Sequence, residues 1–174
     1  MNKIVSYILD ADVFITAKNR YYAFEICPGF WDCLIHFHKI GKVGSIDQVK
    51  SELLRGIKTE DLVLWVINDL PAPFFKSTAD ESVVNAFREI MLWVQRNSQY
   101  YDSAKAKFAT EADGWLVAYS IVNGAIVVTN EQPQPKARNR IPLPDICRQF
   151  NVDSKNTFEM LHDLKVRLEW HGSP

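Results

Sequence analysis

Five carboxylates in this chain stand where its pattern places the ends of secondary-structure elements. Asp10 and Asp12 lie in the run Ile-Val-Ser-Tyr-Ile-Leu-Asp-Ala-Asp-Val-Phe-Ile, residues 4–15, where a short apolar stretch with β-branched residues breaks off into two acids. Such a stretch reads as a buried parallel strand. Its end is the edge at which open α/β sheets place their chemistry. A carboxylate buried there must be neutralised, hydrogen-bonded or bound to a cation. Glu52 falls late in an expected helix, Asp113 at the start of another, and Glu131 just after the strand-like run 126–129. If the strands that carry Asp10 and Glu131 are neighbours, their acids converge. Hard oxygen donors of this kind select Mg²⁺ or Mn²⁺. A divalent ion so held supports phosphoryl chemistry by orienting and acidifying water and stabilising charge on phosphate oxygens. Taken singly, Asp113 is also explained as an acid at a helix N-terminus, Glu52 as a solvated helix residue and Glu131 as a loop acid.

The elements that must position these acids alternate in type. After the first strand comes a polar, aromatic turn, Lys18-Asn19-Arg20-Tyr21-Tyr22. A helix follows over 31–40, with Trp31, Leu34, Ile35 and His38 on helical spacing and Gly41 as its stop. Residues 42–46 read as a second short strand, and Asp47 as the N-cap of a helix through Leu54. A helix over 62–70 ends at Pro71 and Pro73. The segment Pro71-Ala72-Pro73-Phe74-Phe75 reads as an extended connector or short edge strand. Residues 79–97 carry the longest amphipathic pattern, with Val83, Val84, Phe87, Ile90, Met91 and Val94 in one stripe. Residues 98–107 read as a polar joint, 113–122 as a helix broken by Gly124, and Ala125-Ile126-Val127-Val128-Thr129 as the clearest buried strand. Beyond the loop 130–140, a short helix over 144–150, an edge strand near 151–153 and a terminal helix over 156–168 complete the chain. Strands alternating with helices indicate an α/β fold with a mostly parallel sheet.

Composition narrows the class. A chain of 174 residues suits one domain with a sizeable core, so a single domain over residues 1–174 is expected. No apolar run approaches the roughly 20 residues of a membrane span, and no membrane partner is expected. The opening residues lead into Asp10 rather than a small-residue cleavage site, so a signal peptide is not expected. Cys27, Cys33 and Cys147 show no metal-knuckle pairing and suit a reducing compartment, which makes the cytoplasm the expected location. A formal net charge of -1 means that any polyanion must be met by a local basic patch.

Four short motifs, taken together, carry a resemblance. They are Tyr7-Ile8-Leu9-Asp10-Ala11-Asp12-Val13-Phe14-Ile15, Val49-Lys50-Ser51-Glu52-Leu53, Ala112-Asp113-Gly114-Trp115-Leu116-Val117-Ala118-Tyr119 and Val127-Val128-Thr129-Asn130-Glu131. In that order, over roughly residues 4–161, the chain resembles the PIN domain and, more narrowly, the PIN-like group DUF4411. The resemblance implies a three-layer α/β/α sandwich around a mostly parallel twisted sheet, and a metal-dependent nuclease of the kind found as the toxin of toxin–antitoxin pairs. It puts Asp10, Glu52, Asp113 and Glu131 at the four catalytic acids, with Asp10, Asp113 and Glu131 as ligands of Mg²⁺ or Mn²⁺. Asp12 falls where the family often has Asn or Ser, a supporting position, and Thr129 matches the hydroxyl residue at the end of the fourth strand. Glu131 stands in place of a more usual Asp. The implied substrate is RNA, and an antitoxin protein is an implied partner.

Cations to meet RNA are available in Lys136, Arg138 and Arg140, close after Glu131, and in Lys18, Arg20 and Arg55. An ordinary solvated loop explains the first set equally well. Tyr21 and Tyr22 suit either base stacking or core packing, and His36 and His38 suit packing or surface roles. The terminal Phe158, Leu161, Leu164, Leu168 and Trp170 would cover the sheet or form a homodimer face. Two other functions fit parts of the pattern. A haloacid-dehalogenase-type phosphatase would use Asp10 as nucleophile, Asp12 as general acid and Lys136 as its lysine. It lacks a later acidic pair and leaves Glu52 and Asp113 unexplained. A PIN-like module kept for binding alone would retain the acids without hydrolysis.

Overall fold

The computed structural model describes residues 6–172, so the expected strand start at Ile4 and the opening residues 1–3 lie outside the described residues. Five strands form one sheet in the order β3-β2-β1-β4-β5, and every pairing is parallel. They are β1 (Tyr7–Leu9), β2 (Val43–Ile46), β3 (Phe75–Lys76), β4 (Ile126–Val128) and β5 (Ser154–Lys155). The three central strands are almost wholly buried, as a parallel sheet covered on both faces requires. The chain steps outward from β1 through β2 to β3, then crosses back to β4 on the other side of β1. Right-handed crossovers running in opposite directions put helices on opposite faces. The result is the expected α/β/α sandwich.

Among the described residues the helices are α1 (Ala11–Thr16), α2 (Pro28–Lys39), α3 (Asp47–Leu53), α4 (Asp61–Asn68), α5 (Glu81–Arg96), α6 (Asp102–Phe108), α7 (Asp113–Asn123), α8 (Leu143–Gln149) and α9 (Thr157–Asp163). Gly41 and Gly124 stop α2 and α7 as anticipated, each in the left-handed conformation that a side chain would disfavour. Asp47 begins α3 rather than capping it. Its carboxylate instead receives the Thr78 amide (3.1 Å) and hydroxyl (2.8 Å), which ties α3 to the segment after β3.

Residues 11–16, rich in β-branched and aromatic side chains, are helical, and Val13 and Phe14 on this turn bury fully in the core. Two local expectations are corrected. The polar joint 98–107 contains α6, which is anchored by buried Ala104 and Phe108. The terminal helix ends at Asp163 rather than at Leu168, because Lys165 turns left-handed (φ 57°) and the Val166 amide closes back on the Leu161 carbonyl (3.0 Å).

Two packing arrangements set the site. On one side, Phe24 stacks on Trp31 (centroids 4.0 Å, 14°) and Trp31 meets Trp65 edge-on (4.8 Å, 70°), while Trp31 Nε1 donates to the Tyr22 carbonyl (2.7 Å). Phe14 of α1 joins this wall through Trp65 and Phe74. On the other side, α5 and α7 lie against one another. A Cβ added at Gly114 would stand 2.8 Å from a Phe87 ring carbon, and Phe87 itself stacks on Trp115 (3.8 Å, 5°).

Candidate active site

Because all the strands are parallel, their carboxyl ends share one edge, and the order reverses direction at β1. Asp10 follows β1 at this switch point, the place where open sheets hold ligands. Its amide continues the ladder to the Val128 carbonyl (2.9 Å), and its Oδ2 accepts from the Thr129 hydroxyl (2.9 Å), the residue after the neighbouring strand β4. The β1–β4 register, with Leu9 opposite Val128, brings these two residues level. The convergence of the first and fourth strand ends is therefore built into the sheet.

Asp12 lies two residues further on, in α1. Its Oδ1 accepts from the Thr16 hydroxyl (2.7 Å) and its Oδ2 from the Asn130 amide (3.2 Å). Both oxygens are engaged, so Asp12 braces α1 against the loop after β4.

The remaining acids reach the same edge from helices. Glu52, on α3 beyond β2, accepts the Ala112 amide at the start of α7 through Oε1 (2.8 Å). Asp113 is the first residue of that helix. Glu131 accepts from Arg140 (2.7 Å) and from the Leu143 amide at the start of α8 (3.2 Å), while its own amide donates to Thr129 Oγ1 (3.2 Å). One carboxylate thus orients the helix that carries another.

These acids sense one another. Burial raises Asp10 to about 7, against the Thr129 hydrogen bond that lowers it, and the carboxylates of Asp12, Glu131 and Glu52 push in the same direction as burial. Asp113 rises well above the ordinary carboxylate value, by burial first and then by Asp10, Glu131, Glu111 and Glu52. Glu52 is raised by burial and Glu111, partly offset by the Ala112 amide and Arg55. Cys147 lies close enough to Asp10 and Asp113 that these charges add to burial in lifting its thiol to about 12. It is an inert packing thiol behind the acids.

Oxygen donors of this type fit Mg²⁺ or Mn²⁺, which bind through one or two carboxylates and keep several waters. Among the described residues, no three His, Cys, Asp or Glu side chains are grouped so as to hold an ion as they stand. Glu52 and Glu131 are drawn instead to helix N-termini, and of the four acids only Glu131 has a basic side-chain partner among the described residues.

The basic residues divide. Arg140 is spent on Glu131, and Arg138 donates to the Gln99 carbonyl (3.3 Å) and lies over the Tyr101 ring (4.9 Å), whereas Lys136 is exposed. Lys18 pairs with Glu60 and with Asp61 (3.2 Å). Arg20 and Arg55 are exposed. Tyr22 packs on Phe30, while Tyr21 stays half exposed. His38 bonds the Val43 carbonyl (3.0 Å), a packing role. Sequence reasoning missed Glu111 and Lys107, which line a cleft of about 220 Å³ with Asp113, Glu131 and Arg140. Both fall in or just beyond the segment read as a polar joint, whose helical spacing was the signal available.

The fold and the acid edge define an α/β protein with a carboxylate-rich site at the switch point of its sheet. The chain matches the model of the family described as "Domain of unknown function (DUF4411)" over residues 7–168, and it belongs to that family. A search of curated proteins returns no match. No described helix is long and apolar enough to cross a membrane.

Proposed function

We propose that this protein is a metal-dependent ribonuclease that hydrolyses RNA phosphodiester bonds, and that it serves as the toxin of a toxin–antitoxin pair, as its resemblance to PIN domains implies. The observation that carries the reading is the meeting of Asp10, Glu52, Asp113 and Glu131 at one sheet edge, with basic side chains engaging the last but not Asp10 or Asp113. Buried acids in that state call for a cation.

Asp10 and Asp113 would hold Mg²⁺ or Mn²⁺, with Glu131 as a further ligand once released from Arg140. The ion supplies positive charge against the phosphate and lowers the pKa of water. Thr129 orients Asp10 by its hydroxyl hydrogen bond. Glu52 keeps Oε2 clear of the Ala112 contact and would position the attacking water and accept its proton. The water oxygen forms a bond to phosphorus as the bond to O3′ breaks and O3′ takes a proton from solvent, leaving a 3′-hydroxyl strand and a 5′-phosphate. Arg140, freed from Glu131, and Lys107 are placed to meet the phosphate.

A phosphatase using Asp10 as nucleophile would need Asp12 as a general acid, yet both Asp12 oxygens accept hydrogen bonds within the fold. The test is incubation of the purified protein with mixed single-stranded RNA, Mn²⁺ and then a chelator. The reading expects degradation to 5′-phosphorylated fragments that stops on chelation. Turnover of p-nitrophenyl phosphate without RNA cleavage would favour the phosphatase, and Mn²⁺ binding without hydrolysis would favour a binding module.

A further inference from the structure

Beside Asp12 opens a cleft of about 390 Å³ that none of the hydrolytic steps uses. Its walls come from α1 and the turn that follows, from the loop after β4, and from the start of α9. Two half-exposed aromatic rings, Tyr21 and Phe158, meet edge-to-face at 5.4 Å and 75° on its rim. Tyr21 is delivered there by a π-helical turn, Ala17–Tyr21, closed by the Tyr22 amide on the Ala17 carbonyl (2.6 Å). Such turns are rare and cluster at functional sites. Exposed aromatic rings beside polar groups are how unpaired bases are gripped.

Three amides line the cleft, and their neighbours fix which way each faces. Asn130 Oδ1 accepts from both the amide (3.1 Å) and the hydroxyl (2.9 Å) of Thr157, and Asn156 Oδ1 accepts the Glu159 amide (2.9 Å). Each therefore offers an NH₂ group that has no partner among the described residues. Gln132 is turned the other way, its NH₂ donating to the Asn130 carbonyl at 3.4 Å, which leaves its oxygen to accept. The cleft thus presents two amide donors and one amide acceptor, with the exposed Arg20 at its edge. A pyrimidine presents the complement, two acceptors and one donor, as two carbonyls and an N–H in uracil and as a carbonyl, a ring nitrogen and an amino group in cytosine, whereas the pairing edge of adenine offers one donor with one acceptor and that of guanine two donors with one acceptor.

Building on the ribonuclease reading, we propose that this cleft is a base-recognition subsite that takes one unpaired pyrimidine of the substrate strand. The ring rests against Tyr21 and Phe158, Asn130 and Asn156 donate to its two acceptors, Gln132 accepts from its N–H, and Arg20 meets the adjoining phosphate. Asp12 lines both this cleft and the acid edge, so a base seated here leaves its backbone running toward Asp10.

The test is a binding titration of fluorescent oligo-U, oligo-A and oligo-C, with Ca²⁺ in place of Mg²⁺, alongside RNA cleavage in Mn²⁺. Wild-type protein should bind oligo-U and oligo-C about tenfold or more tightly than oligo-A. Asn156→Ser keeps an oxygen to cap α9 but removes the amide donor, so both pyrimidine oligomers should fall to the level of oligo-A. Tyr21→Ala should weaken all three alike, because stacking tolerates any base. Equal binding of the three oligomers by the wild type, or an undiminished pyrimidine preference in Asn156→Ser, would overturn the subsite. Cleavage without pyrimidine preference sinks the subsite alone, whereas pyrimidine-selective binding without any cleavage sinks the nuclease and keeps the subsite.

Discussion

The two flanks of α1 are built on opposite principles. Toward the core, Phe14 joins the wall of Phe24, Trp31, Trp65 and Phe74, where every ring is packed and the Trp31 indole N–H is satisfied. Toward the sheet edge, Asp10 and Asp12 stand among Glu52, Asp113 and Glu131, and there like charges add to burial in raising Asp10 and Asp113. Large buried aromatics stabilise, while crowded buried acids oppose folding unless a cation joins them. A single short helix connects the part that holds the molecule together to the part that strains it. Stability and activity should therefore respond to different residues.

The sharpest division of the two flanks comes from charge removal. Asp10→Asn or Asp113→Asn should lower RNA cleavage by on the order of 10²–10³-fold or more, while thermal unfolding in chelator shows a midpoint equal to or above wild type. A midpoint well below wild type would mean that these acids support the fold rather than the chemistry. On the aromatic flank, Trp31→Ala should cost about 3–5 kcal/mol of stability by chemical denaturation. Cleavage per folded molecule should survive it.

Thr129→Val retains shape but removes the hydroxyl that holds Asp10, and should reduce cleavage or metal affinity about 10–100-fold, as loss of a group orienting a ligand does. A full-rate Thr129→Val protein would show that Asp10 needs no such orientation. The smallest effect is the pH response of the metal-free protein. Asp10 titrates at about 7 when folded, far above its unfolded value, so the folded state keeps a proton that the unfolded state has lost. Stability should decline as pH rises from about 4 to about 7, and Asp10→Asn should flatten that decline. Added Mn²⁺ should raise the unfolding midpoint more at the upper end of the range. A midpoint that climbs over this interval would reverse the sign.

Much of this was legible in the chain itself. The apolar runs at β1 and β4 announced buried parallel strands, and Asp10 and Glu131 following them announced a shared edge. Gly41 and Gly124 marked the helix ends where they occur. What periodicity could not show was tertiary. Residues 11–16 carry strand-forming side chains, yet they form a helix that buries Val13 and Phe14. The engagement of Arg138 with Tyr101 depends on a segment brought in from afar, and that of Arg140 with Glu131 on how the loop between them folds back, so both looked like free loop cations. Asp12 was the least determined of the acids, and its two hydrogen bonds, one from Thr16 and one from Asn130, define it as a brace.

The contact at Gly114 has a consequence for how this protein can vary over time. The residue that follows Asp113 has no room for a methyl group while Phe87 keeps its ring in place, because the ring edge would stand only 2.8 Å from the new Cβ. Substitution at position 114 alone would displace the Phe87 ring from its stack on Trp115 or lever α7 away from α5 and carry Asp113 with it. Positions 87 and 114 should therefore drift only as a pair, a smaller side chain at one accompanying a larger one at the other. The placement of one acid is thereby inherited through a packing partner that never touches it.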